Sequence, residues 1–470
     1  MLDFKNLLVT CHTDFVGKNS TFVAIKGFKT DGFDFIEDAI KKGAKEIVFD
    51  QSRDISKISS KYPSIKFLPV ENTRKSLALI ASERLGNPHK KLKLIGVTGT
   101  KGKTTTTFLI EHLLQKIGFK TALLGSIKNK ILHSEVQSPL TTLNADMLHA
   151  FFHECVTNNV DYVVMEVSSH ALSLDRIYGV EFDIACFTNL APEHMDFYKD
   201  LNDYFEAKSI LFNQIKQNGH AIINTDDTFG EKLAIMLNTK KNKFSVNTYG
   251  QKKQNFSNFH QFTILQNSLA GLKVSIDHKE LLSPQLFGEF NAYNMLMATL
   301  VGFTINKNLQ LNIFEDFKGV PGRLQKHILK NGAFAFVDYA HNPSSFEAVL
   351  KALRPLSKHL IVLFGCGGDR DRTKRPMMGQ ITAKYADEVI ITNDNPRTED
   401  PQNIISEILP GIEGLIKLTI EPDRKKAIEI TASKSNKNTV IALLGKGHEN
   451  YQILGTKKIH FDDFEEISKF

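Results

Sequence analysis

The residues with the clearest chemical potential follow the apolar run Leu92–Val97, which predicts a buried strand. The glycine-punctuated turn Thr98–Thr104 comes next, and the apolar residues after it have helical spacing. Backbone N–H groups of such a turn and of the helix start bind phosphate, and Lys103 can reach the β- and γ-phosphates. The Thr104 hydroxyl suits Mg2+. The pattern therefore predicts an ATP site.

A second chemical group follows the strongly β-biased run Asp161–Val167, which is expected beside the first strand. Glu166 stands at its end, where a carboxylate next to a phosphate loop can serve as a second Mg2+ ligand. A solvated glutamate at a strand end is the alternative. His194 and Lys208 follow later in the chain, and lone histidine or lysine residues of this kind are usually structural or solvated.

Length and composition bound the class of protein. The chain has 470 residues, of which 41% are hydrophobic and 24% charged, as in soluble globular proteins of about three domains. It contains no apolar run of membrane-spanning length, and charges interrupt Met1–Phe15, which is not a signal-peptide pattern. Four scattered cysteines fit a reducing cytoplasm. The net charge of +7 suits polyanionic small substrates as well as nucleic acid.

The elements that must position these groups form three predicted α/β domains, at residues 1–88, 89–321 and 322–470. The central domain carries the phosphate loop. Residues 238–280 are rich in Lys, Asn and Gln with interleaved Phe. They are interpreted as hairpins of a small antiparallel sheet, with single-stranded nucleic acid binding as the weaker alternative. From Gly332 onward, strands alternate with helices in a doubly wound, Rossmann-like pattern.

Eleven short motifs in a fixed order give the chain its resemblance to a known family. They are Gly96-Val-Thr-Gly-Thr-Lys-Gly-Lys-Thr104, Met165-Glu-Val-Ser-Ser-His170, Thr188-Asn-Leu190, His194-Met-Asp196, Tyr204-Phe-Glu-Ala-Lys208, Gly288-Glu-Phe-Asn-Ala-Tyr-Asn294, Val320-Pro-Gly-Arg323, Asp338-Tyr-Ala-His-Asn-Pro343, Gly365-Cys-Gly-Gly-Asp-Arg370, Asp394-Asn-Pro-Arg397 and Gly445-Lys-Gly-His-Glu449. Together they resemble the Mur ligases, ATP-dependent enzymes that form amide bonds in peptidoglycan synthesis. The resemblance covers nearly the whole chain.

The resemblance implies an acyl-phosphate mechanism with ATP and Mg2+. It assigns catalytic roles to Lys103, Glu166, His194 and Lys208. It implies metal ligation by Thr104, Glu166, His194 and Lys208, the last as a carbamate (N6-carboxylysine) formed with CO2. The implied ATP contacts are Gly99, Thr100, Lys101, Gly102, Lys103, Thr104, Thr105, Asn291, Asn294, Arg323, Asp338 and His341.

The resemblance also implies the two other substrates. The first domain would bind UDP, and the contacts implied for UDP-MurNAc-L-Ala-D-Glu are Thr13, Thr141, Thr142, Ser168 and Arg176. The sequence His12-Thr13-Asp14 departs from the family pattern near the uridine. The contacts implied for meso-2,6-diaminopimelate are Arg370, Asp394, Asn395, Pro396, Arg397, Gly445 and Glu449.

The resemblance, through Asp394-Asn-Pro-Arg397, also implies that Arg397 selects diaminopimelate over L-lysine, since a guanidinium can pair with the second carboxylate of diaminopimelate. A surface ion pair of Arg397 with Glu399 or Asp400 is the alternative. The whole pattern predicts a cytoplasmic, monomeric ligase that binds neither nucleic acid nor membrane. An L-lysine-adding ligase, a folylpolyglutamate synthetase and a nucleic-acid-dependent P-loop NTPase are the competing functions.

Overall fold

The computed structural model describes residues 4–239, 242–412, 414 and 416–470. The chain divides into two compact units, the first comprising Met1–Phe262 with Tyr293–Gln310 and the second comprising Thr263–Ala292 with Leu311–Phe470. Both units are mixed α/β, so the predicted fold class is confirmed. The domain boundaries after residues 88 and 321 stay predictions. No helix in the described part of the chain is long and apolar enough to cross a membrane.

The first unit contains two sheets and the helices that cover them. Its strands are β1 Leu7–Thr10, β2 Val16–Val23, β3 Glu46–Asp50, β4 Lys66–Val70, β5 Lys93–Thr98, β6 Thr121–Leu124, β7 Lys128–Ile131, β8 Ser134–Gln137, β9 Tyr162–Glu166, β10 Phe182–Phe187, β11 Ile215–Asn224, β12 Ser245–Gly250 and the start of β13 Phe259–Ser268. Its helices are α1 Ile36–Lys41, α2 Ser56–Lys61, α3 Thr73–Arg84, α4 Lys103–Lys116, α5 Ala145–Thr157, α6 Ser169–Ser173, α7 Leu201–Ser209, α8 Thr228–Thr239 and most of α9 Glu289–Ile305.

The large sheet of the first unit places the predicted catalytic strands side by side. Its strands run in the order β12-β11-β10-β5-β9-β6-β7-β8, and β5 pairs in parallel with both β9 and β10. Strands β5, β9 and β10 are almost wholly buried, as expected of apolar runs in a parallel sheet covered on both faces. Their carboxyl ends therefore meet at one edge, where such sheets carry their sites. The predicted position of β9 beside the phosphate-loop strand is confirmed.

Two details differ from the sequence-based expectations. Helix α4 begins at Lys103 rather than Thr105, because the phosphate loop turns directly into the helix at Gly102. The interpretation of residues 238–280 as antiparallel hairpins is wrong for β12, which pairs in parallel with β11 and with the start of β13. Helix α8 lies between these two strands, and a crossover helix favours parallel pairing. Strands β14 and β15 do form the expected antiparallel hairpin.

The second unit is built on a six-stranded sheet in the order β16-β17-β21-β18-β19-β20. Its pairings are parallel except for β16 with β17. Two clusters of buried apolar residues join its strands to the helices that flank them. This is the doubly wound arrangement that the sequence predicts. Its strands are β14 Gly271–Ile276, β15 Lys279–Ser283, β16 Gln325–Ile328, β17 Phe334–Asp338, β18 His359–Phe364, β19 Glu388–Ile391, β20 Lys417–Ile420, β21 Thr439–Leu444, β22 Tyr451–Leu454 and β23 Lys457–His460. Its helices are α10 Pro343–Leu353, α11 Lys374–Tyr385, α12 Pro401–Ile408, α13 Arg424–Lys434 and α14 Asp463–Ile467.

Candidate active site

The phosphate loop between β5 and α4 is held in a fixed shape by the residues that follow β10. Gly99 and Gly102 have positive φ angles of 143° and 85°, and a Cβ at Gly99 would collide with the Thr188 hydroxyl. Thr188 Oγ1 donates to Lys101 O at 2.7 Å, and Lys101 N donates to Asn189 Oδ1 at 2.9 Å. The predicted loop residues are therefore preorganised around an anion-binding helix start.

Two lysine side chains converge on one carbonyl of this loop. Lys103 Nζ and Lys208 Nζ each donate to Gly99 O at 2.9 Å. Lys208 is 1% exposed, and its Nζ lies 4.3 Å from the centre of the Tyr204 ring. Burial, with the nearby charge of Lys103 adding to it, holds the pKa of Lys208 well below its usual range. The local pattern alone made Lys208 a solvated or structural residue, and only the family resemblance gave it a role. The structure places its side chain, carried by α7, against the phosphate loop.

Glu166 is buried at the end of β9, so the alternative of a solvated glutamate is wrong. It is 1% exposed, and its carboxylate accepts hydrogen bonds from Ser126 N at 2.8 Å and Ser126 Oγ at 3.1 Å. A Cβ at Gly125 would lie 2.5 Å from Glu166 Oε1, so only glycine leaves room for this carboxylate. Ser126 Oγ also lies 3.0 Å from Thr141 Oγ1. Ser126 is a site residue that the sequence analysis missed.

The donors near the phosphate loop fit a Mg2+ ion. The Thr104 hydroxyl and the Glu166 carboxylate are oxygen donors of the kind this cation prefers, and both residues are buried. The described residues contain no group of three or more His, Cys, Asp or Glu side chains arranged to hold a metal. An ammonium cannot ligate a cation, so Lys208 fits the set only as a carbamate. These ligand roles stay predictions.

His194 lies in an aromatic group beside α6 and α7. Its backbone has a φ of 60°, and its ring centre lies 4.7 Å from that of His170 and 6.2 Å from that of Tyr204. Burial lowers the pKa of His194, and Lys208 and Lys103 lower it further, against an opposing effect of Glu193. A neutral imidazole is the form that ligates metals.

The predicted ATP contacts outside the loop are divided between the two units. In the first unit, Asn294 Oδ1 accepts a hydrogen bond from Thr106 Oγ1 at 3.2 Å, which places Asn294 against the phosphate-loop helix. The second unit, described by itself, holds the other predicted contacts. Its members are Asn291, Arg323, Asp338 and His341.

In the second unit, three motifs meet around Tyr339. The Arg323 guanidinium lies 4.9 Å from the centre of the Tyr339 ring, and the rings of His341 and His448 each lie 4.8 Å from it. Asp338 accepts from Leu324 N and Ala340 N, both at 2.8 Å, and burial raises its pKa. Tyr339 thus packs against a group predicted to contact phosphate.

A cavity of about 360 Å³ lies between the small sheet and α5 and α6 of the first unit. It contains two of the predicted UDP-substrate residues, Thr13 and Arg176, but its lining does not include Thr141, Thr142 or Ser168. Thr142 connects the two groups, because its carbonyl accepts from Arg176 Nη1 at 3.0 Å and its hydroxyl lies 3.3 Å from Ser168 Oγ. We call this space the amino-terminal cavity. Asn144 and Arg74 also line it and were not predicted.

A second cavity, of about 470 Å³, lies at the carboxyl ends of the strands of the second unit. We call it the carboxy-terminal cavity. Of the seven residues predicted to bind diaminopimelate, six line it, namely Arg370, Asp394, Asn395, Arg397, Gly445 and Glu449. Pro396 is buried behind them. Lys374 and Tyr339 also line it and were missed, because their roles depend on chain folding rather than local pattern.

The polar groups of this cavity are held by one another. Asn395 Nδ2 donates to Glu449 Oε2 at 2.9 Å, while Asn395 Oδ1 accepts from Ile453 N at 2.9 Å. Lys446, which is fully buried, lies 3.3 Å from both Asn395 Oδ1 and Glu449 Oε2. These contacts fix which way the Asn395 amide faces. Sequence analysis included Lys446 within a motif but gave it no role.

Arg397 is held by backbone rather than by an acid. Its Nη1 donates to Gly368 O at 2.7 Å and approaches Asn395 O at 3.4 Å, and its φ is 53°. Glu399 pairs instead with Arg375, and Asp400 caps α12 by accepting from Gln402 N. Among the described residues Arg397 has no carboxylate partner, so the alternative of a surface ion pair is wrong.

Comparison with known proteins matches the chain over nearly its whole length. Family models for the Mur ligase family catalytic domain, the Mur ligase middle domain and the Mur ligase glutamate ligase domain match residues 8–85, 97–302 and 322–447. A UDP-N-acetylmuramoyl-L-alanyl-D-glutamate--2,6-diaminopimelate ligase of Clostridium tetani is 41% identical, covering 97% of this chain and 92% of its own. The chain belongs to the Mur ligase family.

Further relatives agree with this membership. A ligase of the same name from Thermosynechococcus vestitus is 40% identical over 95% of this chain and 89% of its own. A solved structure of a ligase of that name has a TM-score of 0.70 at 30% identity, covering 98% of this chain and 93% of its own. Membership in the Mur ligase family confirms the prediction of an ATP-dependent ligase.

Proposed function

We propose that this Mur ligase adds meso-2,6-diaminopimelate to UDP-MurNAc-L-Ala-D-Glu, a cytoplasmic step of peptidoglycan synthesis that converts ATP to ADP and phosphate. The observation that carries the choice of amino acid is the position of Arg397, which lines the carboxy-terminal cavity and hydrogen-bonds to backbone carbonyls but to no carboxylate among the residues described. The relatives at about 40% identity are named for the same two substrates, which supports the proposal.

The chemistry proposed for the first unit is carboxylate activation. The D-glutamyl carboxylate of the UDP substrate attacks the γ-phosphorus of ATP, and ADP leaves. The amine of the amino acid then attacks the acyl carbon, phosphate leaves, and the amine loses a proton. Lys103 and the N–H groups of the phosphate loop would hold the transferring phosphoryl group, where charge develops. Mg2+, held by Thr104 and Glu166, would neutralise the phosphate oxygens.

Lys208 is proposed to act as a carbamate. A carbamate forms when a neutral amine attacks CO2 and a proton is released, so a lowered pKa favours the reaction. Burial and the nearby charge of Lys103 provide this condition. The modification would convert a buried cation beside Lys103 into an anion, which can help His194 and Glu166 to hold metal.

Diaminopimelate carries two carboxylates and two amino groups, and the carboxy-terminal cavity offers partners for both kinds. Arg370, Lys374 and Arg397 are its cations, whereas Asp394 and Glu449 are its carboxylates. L-Lysine lacks the second carboxylate and would leave one guanidinium unpaired. When an analogue leaves a buried polar group of the site unpaired, its kcat/KM can be lower by as much as about 10⁴-fold.

The ratio of kcat/KM for meso-diaminopimelate to that for L-lysine tests the proposal. The wild type is expected to prefer diaminopimelate strongly, and Arg397→Ala is expected to lose most of that preference, because the distal carboxylate loses its partner. Asp400→Ala, which removes a nearby helix cap, serves as the control and should keep the ratio. Equal use of the two amino acids by the wild type, or unchanged discrimination in Arg397→Ala, would contradict the proposal.

The competing functions have less support. A folylpolyglutamate synthase of Mycobacterium tuberculosis resembles the chain with a TM-score of 0.61 at 17% identity over 79% of this chain, a similarity that concerns the fold alone. A nucleic-acid-dependent NTPase would require ATP turnover stimulated by oligonucleotides and indifferent to UDP-sugars. The proposed partners, the monomeric state and the cytoplasmic location stay predictions.

A further inference from the structure

A buried ion pair lies directly behind the carboxy-terminal cavity. The Arg375 side chain is 0% exposed and donates to both oxygens of Glu399, at 2.7 and 2.8 Å. It also donates to Glu407 Oε2 at 2.7 Å and to Gly367 O at 3.1 Å. The hydrogen bonds from Arg375 lower the pKa of Glu399 to about 2. Glu399 is therefore a full negative charge at neutral pH.

Glu399 lies close to Arg397, the residue proposed to select the substrate. Both contact Gly368: Arg397 Nη1 donates to its carbonyl at 2.7 Å, and a Cβ on Gly368 would lie 3.0 Å from Glu399 Cβ. They are separated by one residue, Thr398, whose hydroxyl donates to Asp369. A Glu399 carboxylate released from Arg375 would therefore have two cations beside it, the exposed Arg372 and the Arg397 guanidinium at Gly368.

The other groups that face Glu399 would hold it less firmly. Asp369 N donates to Glu399 Oε2 at 3.1 Å, and Arg372 Nε lies 3.9 Å from Oε1. The Arg372 side chain is 63% exposed and is bound to Glu407. Exposed ion pairs of this kind contribute little to stability. Arg375 is the only fully buried cation on this carboxylate among the described residues.

We propose that Arg375 is a positioning residue for amino-acid selection, which keeps Glu399 paired so that the Arg397 guanidinium stays available for a substrate carboxylate. This inference rests on the proposed function. Without Arg375, Glu399 would pair with Arg397 and compete with the distal carboxylate of diaminopimelate. Arg375 itself does not line the cavity, so it acts through Glu399 and Arg397 rather than on the substrate.

Three variants test the proposal through the steady-state constants for each substrate. Arg375→Met should raise the KM for meso-diaminopimelate by about tenfold or more, since a charge-assisted contact with the substrate is lost, while the KM values for ATP and UDP-MurNAc-L-Ala-D-Glu change little. Adding Glu399→Gln to Arg375→Met should restore the KM for diaminopimelate, because the competing charge is gone. Adding Glu407→Gln instead should not restore it.

The two double variants are matched, because each removes one of the carboxylates that Arg375 binds. A merely structural role of Arg375 would make both second substitutions equally restorative, and that result would overturn the proposal. So would an unchanged KM for diaminopimelate in Arg375→Met. Thermal unfolding of each variant separates loss of folding from loss of selection. If the wild-type protein fails to use diaminopimelate, the proposed function itself is contradicted. That result is obtained before any variant is made, so the two failures can be distinguished.

Discussion

At the scale of single residues, Lys208 has the least ordinary environment in the first unit. A lysine that is 1% exposed and shares the Gly99 carbonyl with Lys103 cannot readily keep its charge. Its surroundings therefore favour either a neutral amine or a modified one. Glu166 ends β9, the strand beside the phosphate-loop strand, and the charge of Lys208 acts on His194, so an anion at position 208 would add to the proposed metal ligands.

Replacing Lys208 tests this directly. Lys208→Ala should lose nearly all ligase activity, because the carbamate proposed to help hold metal cannot form. Short-chain carboxylic acids supplied at high concentration, with bicarbonate present, should return part of the activity by placing a carboxylate in the vacated space. The measurement is phosphate release with and without the acid. Lys232→Ala, on the exposed side of α8, is the control and should be neither inactive nor stimulated. Full activity of Lys208→Ala without any additive would contradict the carbamate role.

At the scale of elements, α5 packs against the turn at residues 88–91 that leads into β5. The rings of His89 and His149 meet there with centres 5.5 Å apart. Both ring nitrogens of His149 and Nε2 of His89 are buried and find no hydrogen-bond partner among the described residues, while His89 Nδ1 lies 3.1 Å from Ser82 Oγ. Burial lowers the pKa of His89 to about 4 and that of His149 to about 3.

This contact makes the first unit sensitive to acid. The unfolded chain binds protons at histidine below about pH 6.5, whereas folded His89 and His149 do not until much lower pH. The free energy of unfolding should therefore fall as pH decreases from about 6.5. His149→Leu should reduce this dependence, and His153→Leu, at an exposed position of the same helix, should not. Denaturant unfolding at several pH values measures the free energy of unfolding as a function of pH. The same pH dependence in His149→Leu and the wild type would contradict the role given to His149.

The elements were predictable where local patterns determine them. The apolar runs of β5 and β9 were placed within a residue or two, because buried parallel strands have continuous apolar sequences. Helix α11 was missed, since its sequence Lys374–Tyr385 has little apolar periodicity and its buried face includes Arg375. The predicted antiparallel pairing of β12 was wrong, because the direction of pairing depends on the crossover helix rather than on the strand's own residues.

The candidate site was predictable to a similar degree and for related reasons. Motif residues such as Glu166, Arg397 and Glu449 were found from the sequence. The structure places Glu166 at the end of β9, and Arg397 and Glu449 in connecting segments that line the carboxy-terminal cavity. Ser126, Lys374 and Lys446 contribute contacts that no local spacing signals, since each reaches its partner through chain folding.

At the scale of the whole molecule, each unit has a hydrophobic core of its own. Phe151 belongs to the core around the large sheet of the first unit, and Phe336 belongs to a core of the second, where its ring packs edge to face on Phe287. Both phenylalanines are fully buried. Compact units with separate cores commonly unfold as separate cooperative transitions.

Calorimetry of the full chain is therefore expected to resolve two unfolding transitions. Truncating a buried phenylalanine removes about 3–5 kcal/mol of stability, through lost burial and the cavity that remains. Phe151→Ala should lower the melting temperature of one transition and leave the other in place, and Phe336→Ala should do the reverse. Leu79→Ala, at a half-exposed position of α3, is the control and should shift neither by more than a small amount. A single transition that both core variants lower equally would show that the two units unfold together.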